Sequence, residues 1–265
     1  MKLRCITVLL TVGLGVGAHA LGQTIPPALK NASTVSQADQ STIRQFIQSN
    51  FAKISADDPA QQSEGRDALV NAVGGEPSDA FKDAYARAVN EAALALADNP
   101  DMRVRVNAAI VVARVASRTQ SLQLKPAAIK FINDKSDPVV LWGTKAHATL
   151  IPLQLRASTA GQDALLTGLV GALQDNLSAP IVLEAYEALN LNLVQARGSV
   201  TPQMIKAVVP VMQDLLSARS KQYERGIPDN PVADTIATTF LVDRDVWAQQ
   251  TEQQRTRTAQ LVVDL

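Results

Sequence analysis

Apolar residues recur along most of the chain at the spacing of one helix face. The clearest example is the segment 102–116, where they follow an i, i+4, i+7, i+8, i+11 pattern: Val104, Ala108, Val111, Val112 and Val115. Arg103, Asn107 and Arg114 fall elsewhere on the same helical wheel. No alternating strand pattern extends beyond a few residues, and aromatic residues are scarce. The pattern predicts an all-α protein.

Two further segments repeat this design, one beginning at Pro138 and the other at Pro180. Each of the three apolar faces has a small residue at its centre, which lets neighbouring helices approach closely: Ala108, Gly143 and Ala185. Four other amphipathic segments predict companion helices: 78–98, 126–133, 160–174 and 202–217. Pro152 and Pro210 fall inside helical patterns and are expected to kink or end them.

A small polar residue followed by proline recurs at intervals typical of a repeat. The prolines are 41, 38, 42 and 51 residues apart in the series Asp58-Pro59, Asn99-Pro100, Asp137-Pro138, Ser178-Ala179-Pro180 and Asn230-Pro231. Aspartate and asparagine cap helix N-termini, and proline is tolerated in the first helical turn because its missing N–H would have no partner there. Five such start signals at near-constant spacing predict an array of helix pairs.

The segment Asn99-Pro100-Asp101-x-x-Val104-Arg105-x-x-Ala108-Ala109 resembles the first helix of a HEAT repeat, in which D-P-x-V-R-x-x-A-A opens an antiparallel helix pair. Weaker matches begin at Pro138 and Pro180, and the resemblance covers about residues 58–217. Leu141 and Leu183 stand in place of the family's arginine, which puts its Asp–Arg ladder in doubt at those positions. Armadillo repeats are also similar, but a third helix per unit does not fit the intervals easily. The resemblance implies a HEAT/armadillo-like α-solenoid with about four to five repeats.

The N-terminus has the organisation of a secretory signal. Lys2 and Arg4 precede an apolar run over residues 5–18, and Ala18-His19-Ala20 fits a cleavage site. The run is shorter than the about 20 residues that a bilayer span needs, so an uncleaved anchor is the less favoured alternative. We therefore expect a signal peptide over residues 1–20 and no membrane span after its cleavage.

The remaining chain divides into a linker and a repeat domain. Residues 24–40 contain proline and small polar residues without a helical period, which predicts a flexible linker over 21–40. The repeat domain is expected to span 41–265, with an irregular loop at 218–230 because this stretch is polar and contains glycine and proline.

Cleavage after Ala20 would remove the chain's single cysteine and one of its two histidines, leaving His147. Because small secreted eukaryotic proteins usually depend on disulfides, a chain without thiols favours a bacterial envelope. The expected location is therefore periplasmic or extracellular.

The residue inventory favours binding over catalysis. His147 has no G-x-S-x-G partner in the mature chain and is interpreted as a structural histidine on a helix. Asp243 and Asp245 could offer oxygen ligands, but no glycine-bearing loop follows at the spacing of a calcium site. Trp142 is interpreted as packing rather than as a surface that stacks on a ligand. We expect no enzymatic activity, no cofactor and no metal.

Charge is unevenly distributed along the chain. Residues 57–101 carry ten acidic and three basic side chains, whereas residues 103–156 carry two acidic and nine basic ones. The favoured interpretation is that adjacent repeats complement each other's charge. The alternative is a basic ridge for an anionic partner, formed by Arg103, Arg105, Arg114, Arg118, Lys125, Lys130 and Lys135. The net charge of −2 after cleavage, from 23 basic and 25 acidic residues, gives no reason to expect nucleic acid.

Together these features predict an exported, non-catalytic scaffold that binds a protein or another macromolecule along a helical-repeat surface. One alternative is an accessory domain of an envelope enzyme. The other is a structural envelope component that self-associates. This last alternative draws on the C-terminal segment, which exposes Leu261, Val262 and Leu265 unless it folds back onto the solenoid.

Overall fold

A computed structural model describes residues 24–157, 164–173, 178–191, 200–226 and 232–264. Within these ranges the chain forms thirteen α-helices, one 3₁₀ turn (Leu122–Leu124) and no strand. The helices are α1 (Pro27–Lys30), α2 (Gln37–Ile54), α3 (Pro59–Asn71), α4 (Asp79–Leu96), α5 (Met102–Thr119), α6 (Lys125–Ile132), α7 (Asp137–Ala157), α8 (Ala164–Leu173), α9 (Ala179–Leu189), α10 (Pro202–Glu224), α11 (Val232–Val242), α12 (Arg244–Gln249) and α13 (Glu252–Val263).

The helices pack in two layers. In the first layer α3, α5, α7, α9 and α11 contact one another in that order. In the second layer α2, α4, α6, α8 and α10 do the same, and α13 continues the layer beyond α10. The layers join through α2 on α3, α4 on α5, α6 on α7 and α10 on α11. This order of contacts confirms an all-α solenoid built from helix pairs.

The cap-and-proline series heads the helices of the first layer. Asp58 caps α3 by accepting a hydrogen bond from the N–H of Ala60 at 2.9 Å. Pro59, Pro138 and Pro180 lie in the first turns of their helices. Pro231 lies outside the described residues, directly before α11. The cap-and-proline series therefore marks where helices of the first layer begin.

Two start positions differ in register from the prediction. Asp101, not Asn99, caps α5, because its carboxylate accepts from the N–H of Arg103 at 2.8 Å. Asn99 instead accepts from the N–H of Asp101, which makes a turn ahead of the helix. α7 begins at Asp137 itself, and Ser136 supplies the carbonyl of its first turn.

The small residues at the helix centres lie where helices meet. Ala108 and Ala185 are fully buried. A Cβ atom on Gly143 would lie 2.6 Å from the backbone nitrogen of Ile132, so α7 touches the backbone of α6 at this point. The predicted close approach of neighbouring helices is confirmed for Gly143.

The predicted flexible linker is wrong for residues 24–40. Ile25 and Leu29 are buried against the core, and Ser36 with Asp39 forms a capping box that starts α2 at Gln37. The segment is fastened to α4, because the N–H of Ser78 donates to the carbonyl of Lys30 at 2.8 Å. Buried apolar side chains and hydrogen bonds to Ser78 thus order a stretch that is otherwise polar.

The predicted loop at 218–230 is wrong for residues 218–224, which continue α10. The helix ends before Gly226, whose φ of 70° is a conformation that favours glycine. Residues 227–230 lie outside the described part. Pro152 and Pro210 do not end their helices, since α7 and α10 continue past them.

The C-terminal helix folds back onto the solenoid. Gln213 of α10 donates to the hydroxyl of Thr258 at 2.8 Å, and Leu261 is buried. Val262 and Val263 remain 40% and 80% exposed. Leu265 and the predicted signal peptide lie outside the described residues. No helix in the described ranges has both the length and the apolar character that crossing a membrane requires.

Candidate functional site

A polar stripe on α5 faces away from the second layer. Arg103, Asn107 and Arg114 lie within about 40° of one another on the helical wheel. Side chains from the neighbouring helices of the first layer extend this stripe on both sides. We call the resulting surface the central face, and its members are Arg66, Asn107, Arg114, Trp142, Lys145 and Glu184.

The side-chain amide of Asn107 links α5 to α3. Asn107 donates to Oε1 of Gln62 at 3.2 Å and to the carbonyl of Arg103 at 3.0 Å, and it accepts from Nη1 of Arg66 at 2.9 Å. Nε of Arg66 is buried and makes no hydrogen bond to any described residue, while Oδ1 of Asp67 lies 3.5 Å away. Nη2 of Arg66 donates to the hydroxyl of Ser63 at 2.9 Å, so the guanidinium is held at this junction from both sides.

The junctions from α5 to α9 centre on Trp142. The guanidinium carbon of Arg114 lies 5.8 Å from the centre of the indole ring, and Nζ of Lys145 lies 5.6 Å from it. Both are within the range of a cation–π interaction. Lys145 also forms an ion pair with Glu184 of α9. Trp142 packs against the core, as predicted, and at the surface its ring also contacts Arg114 of α5.

The seven residues of the predicted basic ridge fall into separate groups. Arg103, Arg114 and Arg118 share the outer side of α5. Most of the seven are engaged within the chain, with the acceptors Asp101 for Arg103, the Val70 carbonyl for Arg118, Gln154 for Lys125 and Asp98 for Lys130. Lys135 is exposed. Whether the ridge binds a partner stays a prediction.

The hydrogen bond between Asp101 and Arg103 stabilises the charged form of both side chains. It lowers the pKa of the Asp101 carboxyl and raises the pKa of the Arg103 guanidinium. Both side chains are at the surface, so the pair belongs to the α5 N-terminus and not to the core.

Arg105 is not a surface cation, and its inclusion in the ridge is wrong. It is buried, and its Nε donates to Oδ2 of Asp134 at 2.8 Å while Nη1 donates to the carbonyl of Asn99 at 2.7 Å. The pair ties the start of α5 to the turn before α7. It forms the floor of a polar cleft of about 320 Å³ whose rim carries Lys130 and Lys135.

The second layer has a concave surface of its own. Between α2 and α4 lies a groove of about 380 Å³. Its floor includes Ile47, Phe51 and Leu96, and Arg44 and Glu91 stand at its edge. The groove continues toward the start of both helices in a more polar hollow of about 230 Å³.

A buried polar network joins α9, α10 and α11. Arg219 is completely buried, and its Nε and Nη2 donate to the two carboxylate oxygens of Asp234 at 3.2 and 3.1 Å. The hydroxyls of Tyr186 and Tyr223 also donate to Asp234, at 2.9 and 2.5 Å. Sequence reasoning missed this network because it placed Arg219 in a loop. The signal available was an arginine at helical spacing from apolar residues.

All three tyrosines of the chain have raised pKa values. Burial is the main cause for each, and the negative charge of Asp234 adds to it for Tyr186 and Tyr223. The hydroxyl of Tyr85 donates to the carbonyl of Leu69 at 2.8 Å, which favours the neutral form.

These shifts predict alkaline instability. The unfolded tyrosine releases its proton near pH 10.0 while the buried one keeps it, so the folded state holds more protons above that pH. Tyr85 and Tyr186 should each lower the free energy of unfolding by up to about 1.4 kcal/mol per pH unit above pH 10. Absorbance at 295 nm and helical circular dichroism, followed together, should change in one transition. Tyrosinate absorbance that rose to completion with the helices intact would contradict this.

His147 is fully buried, as expected of a structural residue, with Nδ1 2.8 Å from the carbonyl of Gly143. Within the described ranges, no group of three or more histidine, cysteine, aspartate or glutamate residues could hold a metal ion. The side chains of the central face are charged, amide and indole groups.

No protein-family model matches the chain, and no curated protein matches it. Among solved structures, the chain is similar to the designed armadillo repeat protein YIII(Dq)4CqI, with 15% identity and a TM-score of 0.37. That similarity covers 83% of this chain and 99% of the designed one. The α-solenoid fold of this chain rests on the packing order of its own helices.

Proposed function

We propose that this protein is an exported, non-catalytic scaffold that binds a protein partner along the first layer of its solenoid. The observation that carries the proposal is the central face. Four successive helices of the first layer, α3, α5, α7 and α9, contribute side chains that contact across each junction: Arg66 to Asn107, Arg114 to Trp142, and Lys145 to Glu184. Each helix is held in place by the core below it, so the surface is preformed.

The chemistry of this face is suited to a protein interface. Arginine and tryptophan are enriched among residues that dominate binding energy. Trp142 is partly buried and held between two cations, so it would lose little conformational freedom on binding. Among the described residues, the two most buried ion pairs hold helices together: Arg105 with Asp134 and Arg219 with Asp234.

Self-association is a second candidate that one observation favours. Val242 at the end of α11 and Val263 at the end of α13 are 50% and 80% exposed. Light scattering on the purified protein tests it: a monomer at all concentrations would exclude self-association.

The export part of the proposal rests on the N-terminal segment. It is tested by cell fractionation with N-terminal sequencing of the accumulated protein. We expect a chain that begins at Leu21 in the envelope or medium. A cytoplasmic chain that still carries Met1 would contradict export without affecting the binding proposal.

Site-specific photocrosslinking in the native compartment tests the binding proposal. A photoreactive residue is placed at exposed Ser117 or Glu187 in the first layer, and at exposed Gln48 or Lys206 in the second layer as a matched control. We expect a discrete crosslinked protein from the first-layer positions only. Equal crosslinking from both layers, or none from the first, would reject the proposed face.

A further inference from the structure

We infer that two copies of this chain pair through the exposed side of α11, with the two helices antiparallel about a two-fold axis. The inference rests on the self-association candidate above, and it adds which helix makes the contact and in which orientation. Within the described residues α11 is the last helix of the first layer, and α9 packs against its inner side. The opposite side of α11 is open to solvent.

The exposed side of α11 carries no charge. Its residues lie opposite the buried side on the helical wheel, and they are Val232, Thr235, Ile236, Thr238, Thr239 and Val242. The one charged residue of this helix, Asp234, is buried against Arg219. At the other end of the layer, α3 exposes the charged side chains of Glu64 and Asp67. Since solenoids are capped by polar outer faces, α3 has the character of a cap and α11 has that of a covered helix.

The threonine hydroxyls of this side permit its burial. The hydroxyl of Thr235 donates to the carbonyl of Val232 at 2.6 Å, and that of Thr238 donates to the carbonyl of Asp234 at 3.0 Å. Because these donors are satisfied within their own helix, covering them leaves neither without a partner. Val232 and Val242 are 64% and 50% exposed, so a partner helix would remove apolar surface from water.

The exposed side of α11 is self-complementary in an antiparallel pair. About a midpoint at residue 237, the two-fold axis places Val242 of one copy opposite Val232 of the other, and Thr239 opposite Thr235. Val232 and Val242 lie about 80° apart on the wheel, on opposite sides of the midline of this surface, so a parallel pair would not bring valines together. The hydroxyl of Thr239 can donate to that of Thr235 in the second copy. No like charges meet in the contact.

The size of this contact predicts a weak dimer. α11 has 11 residues and is about 16 Å long, and one pair of such helices buries less than the about 1,600 Å² of a standard interface. We therefore expect a dissociation constant of about 10–100 µM. The central face lies on α3, α5, α7 and α9, so pairing through α11 leaves it accessible in both copies.

Sedimentation equilibrium of the purified protein over about 1–300 µM tests the contact. We expect the average mass to rise with concentration toward that of a dimer. Thr239→Glu should raise the dissociation constant by about tenfold or more, because the two-fold axis brings the two new carboxylates close together. Thr42→Glu is the matched control, at an exposed threonine of α2 in the second layer, and should leave the dissociation constant unchanged. Circular dichroism establishes that each variant is folded.

Disulfide crosslinking in a Cys5→Ser background tests the orientation. A mixture of Val232→Cys and Val242→Cys chains should form a linked dimer, and neither variant should form one alone. In the antiparallel pair the two copies of either residue lie about 15 Å apart along the helices, whereas a disulfide requires Cα atoms within about 7 Å.

Two kinds of result would overturn the inference in different ways. A dimer that Thr239→Glu does not weaken, or cysteines that link only like positions, would reject the α11 contact and leave self-association standing. A monomer at every concentration would reject self-association as well. Neither result bears on binding by the central face, because crosslinks from Ser117 or Glu187 to a different protein would still stand.

Discussion

Replacing Arg219 with methionine is expected to lower the free energy of unfolding by about 3–5 kcal/mol. The substitution would leave the carboxylate of Asp234 buried, at 4% exposure, without its cation. The hydroxyls of Tyr186 and Tyr223 would still donate to it, but neutral donors compensate a buried charge only in part. The network joins three helices from two layers, so the loss should appear as global unfolding. Urea denaturation followed by circular dichroism measures it.

The matched control is Arg257→Met. Arg257 of α13 pairs with Asp214 of α10 at 2.8 Å, but the two side chains are 42% and 46% exposed. An exposed pair contributes about 0–1 kcal/mol, so this variant should stay close to the wild type. Adding Asp234→Asn to the Arg219→Met chain should recover part of the loss, because the unpaired charge is then gone. Equal stabilities for Arg219→Met and Arg257→Met would show that the buried pair does not hold this end of the solenoid together.

How well the sequence predicted the fold depends on the range of the interactions involved. Asp58 with Pro59 is a helix start encoded by adjacent residues, and it was predicted correctly. Leu29 and Arg219 were misjudged because each is ordered by distant groups. Leu29 lies in a segment fastened to Ser78, and Arg219 is held by Asp234. A polar stretch can therefore be predicted to be disordered when the contacts that order it come from residues distant in sequence.

The same limit applies to the candidate site. The polar stripe of α5 was visible on the helical wheel, since Arg103, Asn107 and Arg114 avoid the apolar face. Its neighbours were not, because the partners of Asn107 and Arg114 lie 41 and 28 residues away in sequence. Which side chains of adjacent helices meet depends on how far each helix is shifted along the next. The charge count predicted an excess of cations but could not separate buried Arg105 from exposed Arg114.

Gly143→Ala is the substitution that most directly tests the close approach of helices predicted from sequence. The added Cβ would meet backbone atoms of α6 at 2.6 Å from N and 2.8 Å from Cα of Ile132. Backbone cannot turn aside as a side chain can, so α7 must move. We expect a loss of about 1–3 kcal/mol in the free energy of unfolding, despite the higher helix propensity of alanine. Denaturation in urea gives the value.

Gly171→Ala is the control for helix propensity. Gly171 lies in α8, and a Cβ there would have no atom within 4 Å. This variant should gain up to about 1 kcal/mol, since alanine restricts the unfolded chain and favours the helix. Changes of opposite sign in the free energy of unfolding at the two glycines would separate the effect of packing from that of helix propensity. A more stable protein in both cases would mean that α7 does not depend on contact with the α6 backbone. Because Trp142 precedes Gly143, the shift of α7 should also alter the fluorescence emission of Trp142, which links the small residue in the core to the central face above it.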